Sequence, residues 1–120
     1  MSTVLLVEDD QLLIKMYETK FKSEGFNVLI ASDGEDGFNA AVNSKPDVIL
    51  LDMMMPKLSG TEVLAKLKAT EGTKDIPVLV FSNLSQEDEA NKVIQMGAKE
   101  YLVKANLTPT EVVAKVKQYL

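Results

Sequence analysis

The sequence predicts an α/β domain built on a doubly wound, five-stranded parallel sheet. Five short apolar runs alternate with five segments of helical periodicity from one end of the chain to the other. Such alternation places helices on both faces of a parallel sheet. The runs are continuous, as in Val4-Leu5-Leu6-Val7 and Val48-Ile49-Leu50-Leu51, which marks strands buried on both faces. Four of them close on residues able to do chemistry. Glu8-Asp9-Asp10 closes the first, Asp52 the third, Ser82 the run Val78-Leu79-Val80-Phe81, and Lys104 the run Tyr101-Leu102-Val103. Open α/β sheets bind their ligands at these carboxyl ends.

Strands are predicted over roughly 3–8, 27–31, 47–51, 77–82 and 100–103, and helices over roughly 10–24, 34–44, 59–71, 86–96 and 109–120. In the first helix Leu13, Met16, Tyr17 and Phe21 form an apolar stripe, with Ile14 beside it. Asp33 and Ser85 suit the N-caps of the second and fourth helices. Ser59-Gly-Thr-Glu62 and Thr108-Pro-Thr-Glu111 are capping-box patterns, in which the hydroxyl takes an orphan amide and the glutamate reaches back. Pro109 falls at the first helical position, where a missing N–H costs nothing. Gly25 and Gly97 fit the left-handed position after a helix.

The chain has 120 residues, one domain's worth, read as a single unit over 1–120 with no linker, repeat or further domain. Cysteine and histidine are both absent. That removes disulfides, thiolate metal sites and the commonest acid–base residue. Any metal must be held by oxygen, which favours magnesium, calcium or manganese. A net charge of −5 argues against direct nucleic-acid binding. Met1-Ser2-Thr3 does not open like a signal peptide, and no apolar run approaches the roughly 20 residues of a membrane span. The expectation is a soluble cytoplasmic domain.

Each strand-end residue has an ordinary reading of its own. An acid after a strand caps the next helix, and a lysine there is solvated. A parallel sheet, however, brings all four ends to one edge. Asp52 and Lys104 would then pair, with Glu8 and Asp9 crowded beside them. Clustered carboxylates resist ionising together unless a cation joins them, and a hard divalent ion with oxygen ligands does so. A carboxylate beside such an ion, an ammonium and a hydroxyl is equipped to attack phosphorus and form an acyl phosphate.

The set Glu8-Asp9, Asp52-Met-Met-Met-Pro56, Ser82 and Lys104 resembles the receiver domains of bacterial response regulators, the CheY-like family. Pro46-Asp47, Gly60 and Gly97-Ala98 extend the resemblance over the whole chain. It implies a flavodoxin-like sheet in the order 2-1-3-4-5. It further implies that Asp52 is the phosphoacceptor and that magnesium is the cofactor. Asp9, Asp52 and the main-chain carbonyl of Met54 would be its direct ligands, and Glu8 would act mostly through water. Ser82 is then the switch hydroxyl, Lys104 the ionic partner and Tyr101 the aromatic rotamer switch. The implied donor is a sensor histidine kinase or a histidine phosphotransfer protein, and the implied recipient is a downstream protein target. The domain would act only on its own aspartate, not as a turnover enzyme. Its output face would combine the fourth helix, fifth strand and fifth helix. Ile14 reads first as the edge of the apolar stripe on the first helix; its functional alternative is part of a docking patch for the phosphohistidine partner.

Some positions depart from the family pattern. Ala105 stands after Lys104 where receivers usually carry proline. A cis bond before a non-proline residue costs about 2.5–4 kcal/mol, so a trans bond is expected. Ser82 replaces the commoner threonine. Met54 and Leu84 flank the expected approach of hydrolytic water and hold it poorly, so a long-lived phosphorylated state is expected. Three other readings lack a residue or motif that they need, or leave the strand-end set without a purpose. A phosphohydrolase would want a second acid two residues beyond Asp52, where Met54 sits. A pure interaction module would not need the acid, hydroxyl and lysine together. A flavin carrier would want a phosphate-cradling loop where Glu8-Asp9-Asp10 stands.

Overall fold

The computed structural model describes residues 2–53, 55, 57–83 and 87–120. Within them β1 (Thr3–Val7), β2 (Asn27–Ala31), β3 (Val48–Asp52), β4 (Val78–Ser82) and β5 (Glu100–Val103) alternate with five α-helices. These are α1 (Gln11–Ser23), α2 (Gly34–Ser44), α3 (Gly60–Ala69), α4 (Glu87–Gln95) and α5 (Pro109–Lys117). The strands form one parallel sheet in the order β2-β1-β3-β4-β5, as the resemblance implies.

Strand side chains alternate between two cores because successive residues point to opposite faces. Val4, Leu6, Leu50 and Phe81 pack with Tyr17 and Phe21 of α1 and with Val112, Val113 and Val116 of α5. Leu5, Val7, Leu51 and Val80 pack with Val63, Leu64 and Leu67 of α3 and with Val93 of α4. Tyr101 lies half-buried against this second core. Burial on both faces explains why the strands read as continuous apolar runs.

The expected caps form wherever their residues are described. Both capping boxes close at Ser59–Glu62 and Thr108–Glu111. Asp33 accepts the amide of Asp36, and Gly25 and Gly97 have positive φ. Ser85 lies outside the described residues. α3 stops at Ala69 rather than near 71. There the hydroxyl of Thr70 turns back to the carbonyl of Lys66, and the buried Thr73 hydroxyl caps the carbonyl of Leu67 at 2.7 Å.

The predicted stripe of α1 needs correction. Ile14, Tyr17 and Phe21 are the buried residues, at i, i+3 and i+7, while Met16 is exposed. Tyr17 and Phe21 are buried as expected and Leu13 packs against the same core, so only the edge of the stripe moves, from Met16 to Ile14. The stripe-edge reading of Ile14 holds, and the docking-patch alternative does not, because Ile14 is core. The exposed apolar side chains of α1 are Leu12 and Met16. Among the described residues no helix is long and apolar enough to cross a membrane.

Candidate functional site

Strand order brings the four chemical ends together. The chain leaves β1 for β2 on one side and returns to β3 on the other. The carboxyl ends of β1 and β3 therefore meet at the point where the winding reverses. The register then aligns the residues. Val7 lies opposite Leu51, Asp52 opposite Phe81, and Ser82 opposite Val103. Glu8, Asp52, Ser82 and Lys104 consequently share one edge. With Asp9, Asp10 and Asn83 they line a cavity of about 130 Å³.

Glu8, Asp52 and Ser82 are buried, whereas Asp9 and Asp10 are exposed. Carboxylate oxygens of Glu8, Asp9 and Asp52 all lie within 4.8 Å of one another. The Lys104 ammonium reaches Glu8 Oε1 at 2.8 Å and Asp52 Oδ1 at 3.3 Å. It also lies 4.7 Å from the centre of the Phe81 ring, a favourable cation–π position. The other carboxylate oxygen of Glu8 accepts the amides of Asp9 and Asp10, at 3.0 and 3.1 Å.

The two adjacent acids divide their tasks. The Asp10 carboxylate accepts the amides of Leu12 and Leu13 and so N-caps α1. Asp9 instead joins the cluster with Glu8 and Asp52. The pairing of Lys104 with Glu8, closer than with Asp52, was not legible in the sequence. Nor was the place of Asn83 in the cavity wall, although its position directly after Ser82 was the available signal. Met54 and Leu84 lie outside the described residues. Lys104–Ala105 is trans and leads into a short 3-10 turn over Lys104–Asn106.

Three carboxylates face one ammonium, so the cavity carries surplus negative charge. Burial raises the pKa of Glu8 above the usual carboxylate value. Its hydrogen bonds from Lys104 and Asp10 pull the other way, and the Asp52 charge raises it further. Burial also works against the Lys104 ammonium. The hydrogen bond to Glu8 and the charges of Asp52 and Glu8 outweigh that effect and hold its pKa above the ordinary lysine value. Both shifts run toward proton uptake, that of Glu8 chiefly through burial and that of Lys104 through its two carboxylate partners. An all-oxygen donor set with unbalanced charge fits a hard divalent cation.

A family model described as the response regulator receiver domain matches residues 4–117. The chain belongs to this family. It is thus a receiver domain of the kind found in two-component response regulators. It is 34% identical over 118 residues to the phosphate regulon transcriptional regulatory protein PhoB of Pseudomonas aeruginosa, covering 98% of this chain and 51% of that protein. It is 38% identical over 117 residues to the transcriptional regulatory protein PrrA of Mycobacterium tuberculosis, covering 98% and 49%. The chain therefore spans about half the length of these curated relatives. Among solved structures, the receiver domain of the Francisella response regulator 1452 superposes with a TM-score of 0.92 at 27% identity, covering 99% of this chain and 96% of that one. A chain of the CheX-CheY-BeF3-Mg complex from Borrelia burgdorferi gives 0.90 at 31% identity, covering 98% of this chain and 87% of that one.

Proposed function

We propose that this receiver takes a phosphoryl group onto Asp52 from a phosphohistidine on a sensor histidine kinase or a histidine phosphotransfer protein, and signals the change to a downstream protein. One observation carries the assignment. Asp52 is the acid on the cavity floor that lies 3.3 Å from Lys104 and also beside the switch candidate Ser82 on the neighbouring strand.

In this reading an Asp52 oxygen attacks phosphorus in line. The bond from phosphorus to the donor nitrogen breaks, and the imidazole departs with the electron pair. The Lys104 ammonium offsets charge on the phosphoryl oxygens, and the Ser82 hydroxyl donates to one of them. Glu8 keeps Lys104 at the cavity floor when Asp52 is modified, because the 2.8 Å contact does not involve Asp52. Glu8, Asp9, Asp52 and the Met54 carbonyl would hold magnesium, which when bound neutralises charge on the phosphoryl group. The phosphoryl group then biases an existing equilibrium between two conformations, with Ser82 and Tyr101 as its sensors. The chemistry ends on the domain's own carboxylate, so no free product is turned over apart from phosphate lost by hydrolysis.

Intact-mass measurement with acetyl phosphate and magnesium tests the reading. One phosphoryl mass is expected on the parent and none on Asp52→Asn. Stoichiometric labelling of the Asn variant would refute the assignment.

A further inference from the structure

The cavity has a floor and a rim. Glu8, Asp52 and Ser82 are buried and form the floor, while Asp9, Asp10 and Asn83 are exposed and form the rim. Two of the rim residues have tasks of their own. Asp10 caps α1, and Asp9 belongs to the carboxylate cluster. Asn83 belongs to neither arrangement. Among the described rim residues it is the one uncharged side chain, and the one that both donates and accepts.

The direction of attack gives that position chemical meaning. Asp52 approaches phosphorus from the floor. Phosphoryl transfer is in line, so the leaving group must point away from Asp52, out toward the rim. The water that later attacks the phosphorylated aspartate must come in opposite the Asp52 oxygen, and so occupies the same place. A carboxylate at the rim repels an anionic leaving group, whereas a carboxamide donates to it.

Building on the phosphoacceptor reading above, we propose that Asn83 is a further catalytic residue, whose amide N–H donates to the departing group and whose amide oxygen holds the hydrolytic water. In uptake from acetyl phosphate, the Asp52 oxygen bonds to phosphorus while the bond from phosphorus to the acetyl oxygen breaks. Acetate leaves with the electron pair and receives the N–H. In hydrolysis, the water oxygen bonds to phosphorus and the bond to Asp52 breaks. Asp52 departs as carboxylate, and both water hydrogens end on the phosphate before it equilibrates with solvent.

Time courses of intact mass separate the two steps in the full chain with magnesium. Acetyl phosphate reads uptake, and its removal reads decay. Asn83→Ala is expected to slow both about 5- to 10-fold, one hydrogen bond's worth. Asn83→Asp keeps an acceptor of the same size but donates nothing. Its uptake should fall at least as far as in Asn83→Ala, while its decay stays within about twofold of the parent. Magnesium affinity by calorimetry should be unchanged in Asn83→Ala. Uptake and decay in Asn83→Ala within twofold of the parent, or faster, overturn the proposal. So does a loss of magnesium affinity in Asn83→Ala, or decay of Asn83→Asp as slow as that of Asn83→Ala. A parent that takes no phosphoryl group refutes the phosphoacceptor reading itself. A parent that labels while Asn83→Ala labels and decays alike refutes only the role of Asn83.

Discussion

Lys104 shows how one side chain holds the site's charges in balance. It bridges two carboxylates, and its own side chain is 10% exposed. Replacing it with methionine would leave Glu8 and Asp52 buried without their cation. Removing one partner of such a pair is costly because the remaining charge stays desolvated. Lys104→Met is therefore expected to lose about 3 kcal/mol in urea unfolding with a chelator present. Asp52→Asn acts in the opposite sense. It removes one of three clustered acids and leaves the Lys104–Glu8 contact intact. Its stability under the same conditions should equal or exceed that of the parent. A marked loss in Asp52→Asn would show that the surplus charge is not what strains the cavity.

At the scale of elements, glycines set how closely helices approach the site. A Cβ on Gly60 would lie 2.6 Å from the Asp52 carbonyl oxygen and 2.6 Å from the Met53 Cα. The Gly60 amide meanwhile donates to the Met53 carbonyl at 2.9 Å. The first residue of α3 thus rests on the backbone that carries the phosphoacceptor candidate. Gly60→Ala should cost about 1–3 kcal/mol by overpacking and slow phosphoryl uptake as well. Gly72→Ala is the control, since its Cβ would meet only the flexible end of Lys45 at 3.6 Å. It should leave uptake unchanged and stability within about 1 kcal/mol. Equal effects of the two substitutions on uptake would remove Gly60 from the site's support. The capping box of α5 makes a separate prediction. Thr108→Ala, which removes the acceptor for the Glu111 amide, should cost about 1 kcal/mol in urea unfolding with little change in uptake.

At the scale of the whole molecule, the fold was legible because its evidence repeats along the chain. Continuous apolar strands, two capping boxes and two left-handed glycines all agreed on the element order. The gathering of Glu8, Asp9, Asp52, Ser82 and Lys104 followed once the sheet was parallel. What could not be read depended on phase or distance. The edge of the α1 stripe fell on Ile14 rather than Met16, because Leu12, Leu13, Ile14 and Met16 are all apolar and periodicity alone does not rank them. The left-handed Lys45 and Lys57 carry no sequence signal, since neither is glycine or asparagine. Lys104's preference for Glu8 is a matter of tenths of an ångström. The same gathering ties global stability to the site, because folding brings together acids that the unfolded chain keeps apart. An ion that binds only the folded chain stabilises it by mass action, by about 2.7 kcal/mol at 100 times its dissociation constant. Magnesium should therefore raise the thermal midpoint of the parent in a concentration-dependent way. Asp9→Ala should abolish most of that rise, because magnesium takes few protein ligands and each charged one matters. Asp10→Asn should preserve it, since asparagine still caps α1 and the Asp10 carboxylate is committed to Leu12 and Leu13. Thermal melts across a magnesium titration decide the matter. An equal rise in the parent and in Asp9→Ala would place the ion elsewhere, and loss of the rise in Asp10→Asn would mean that the two acids do not divide their roles as the geometry indicates.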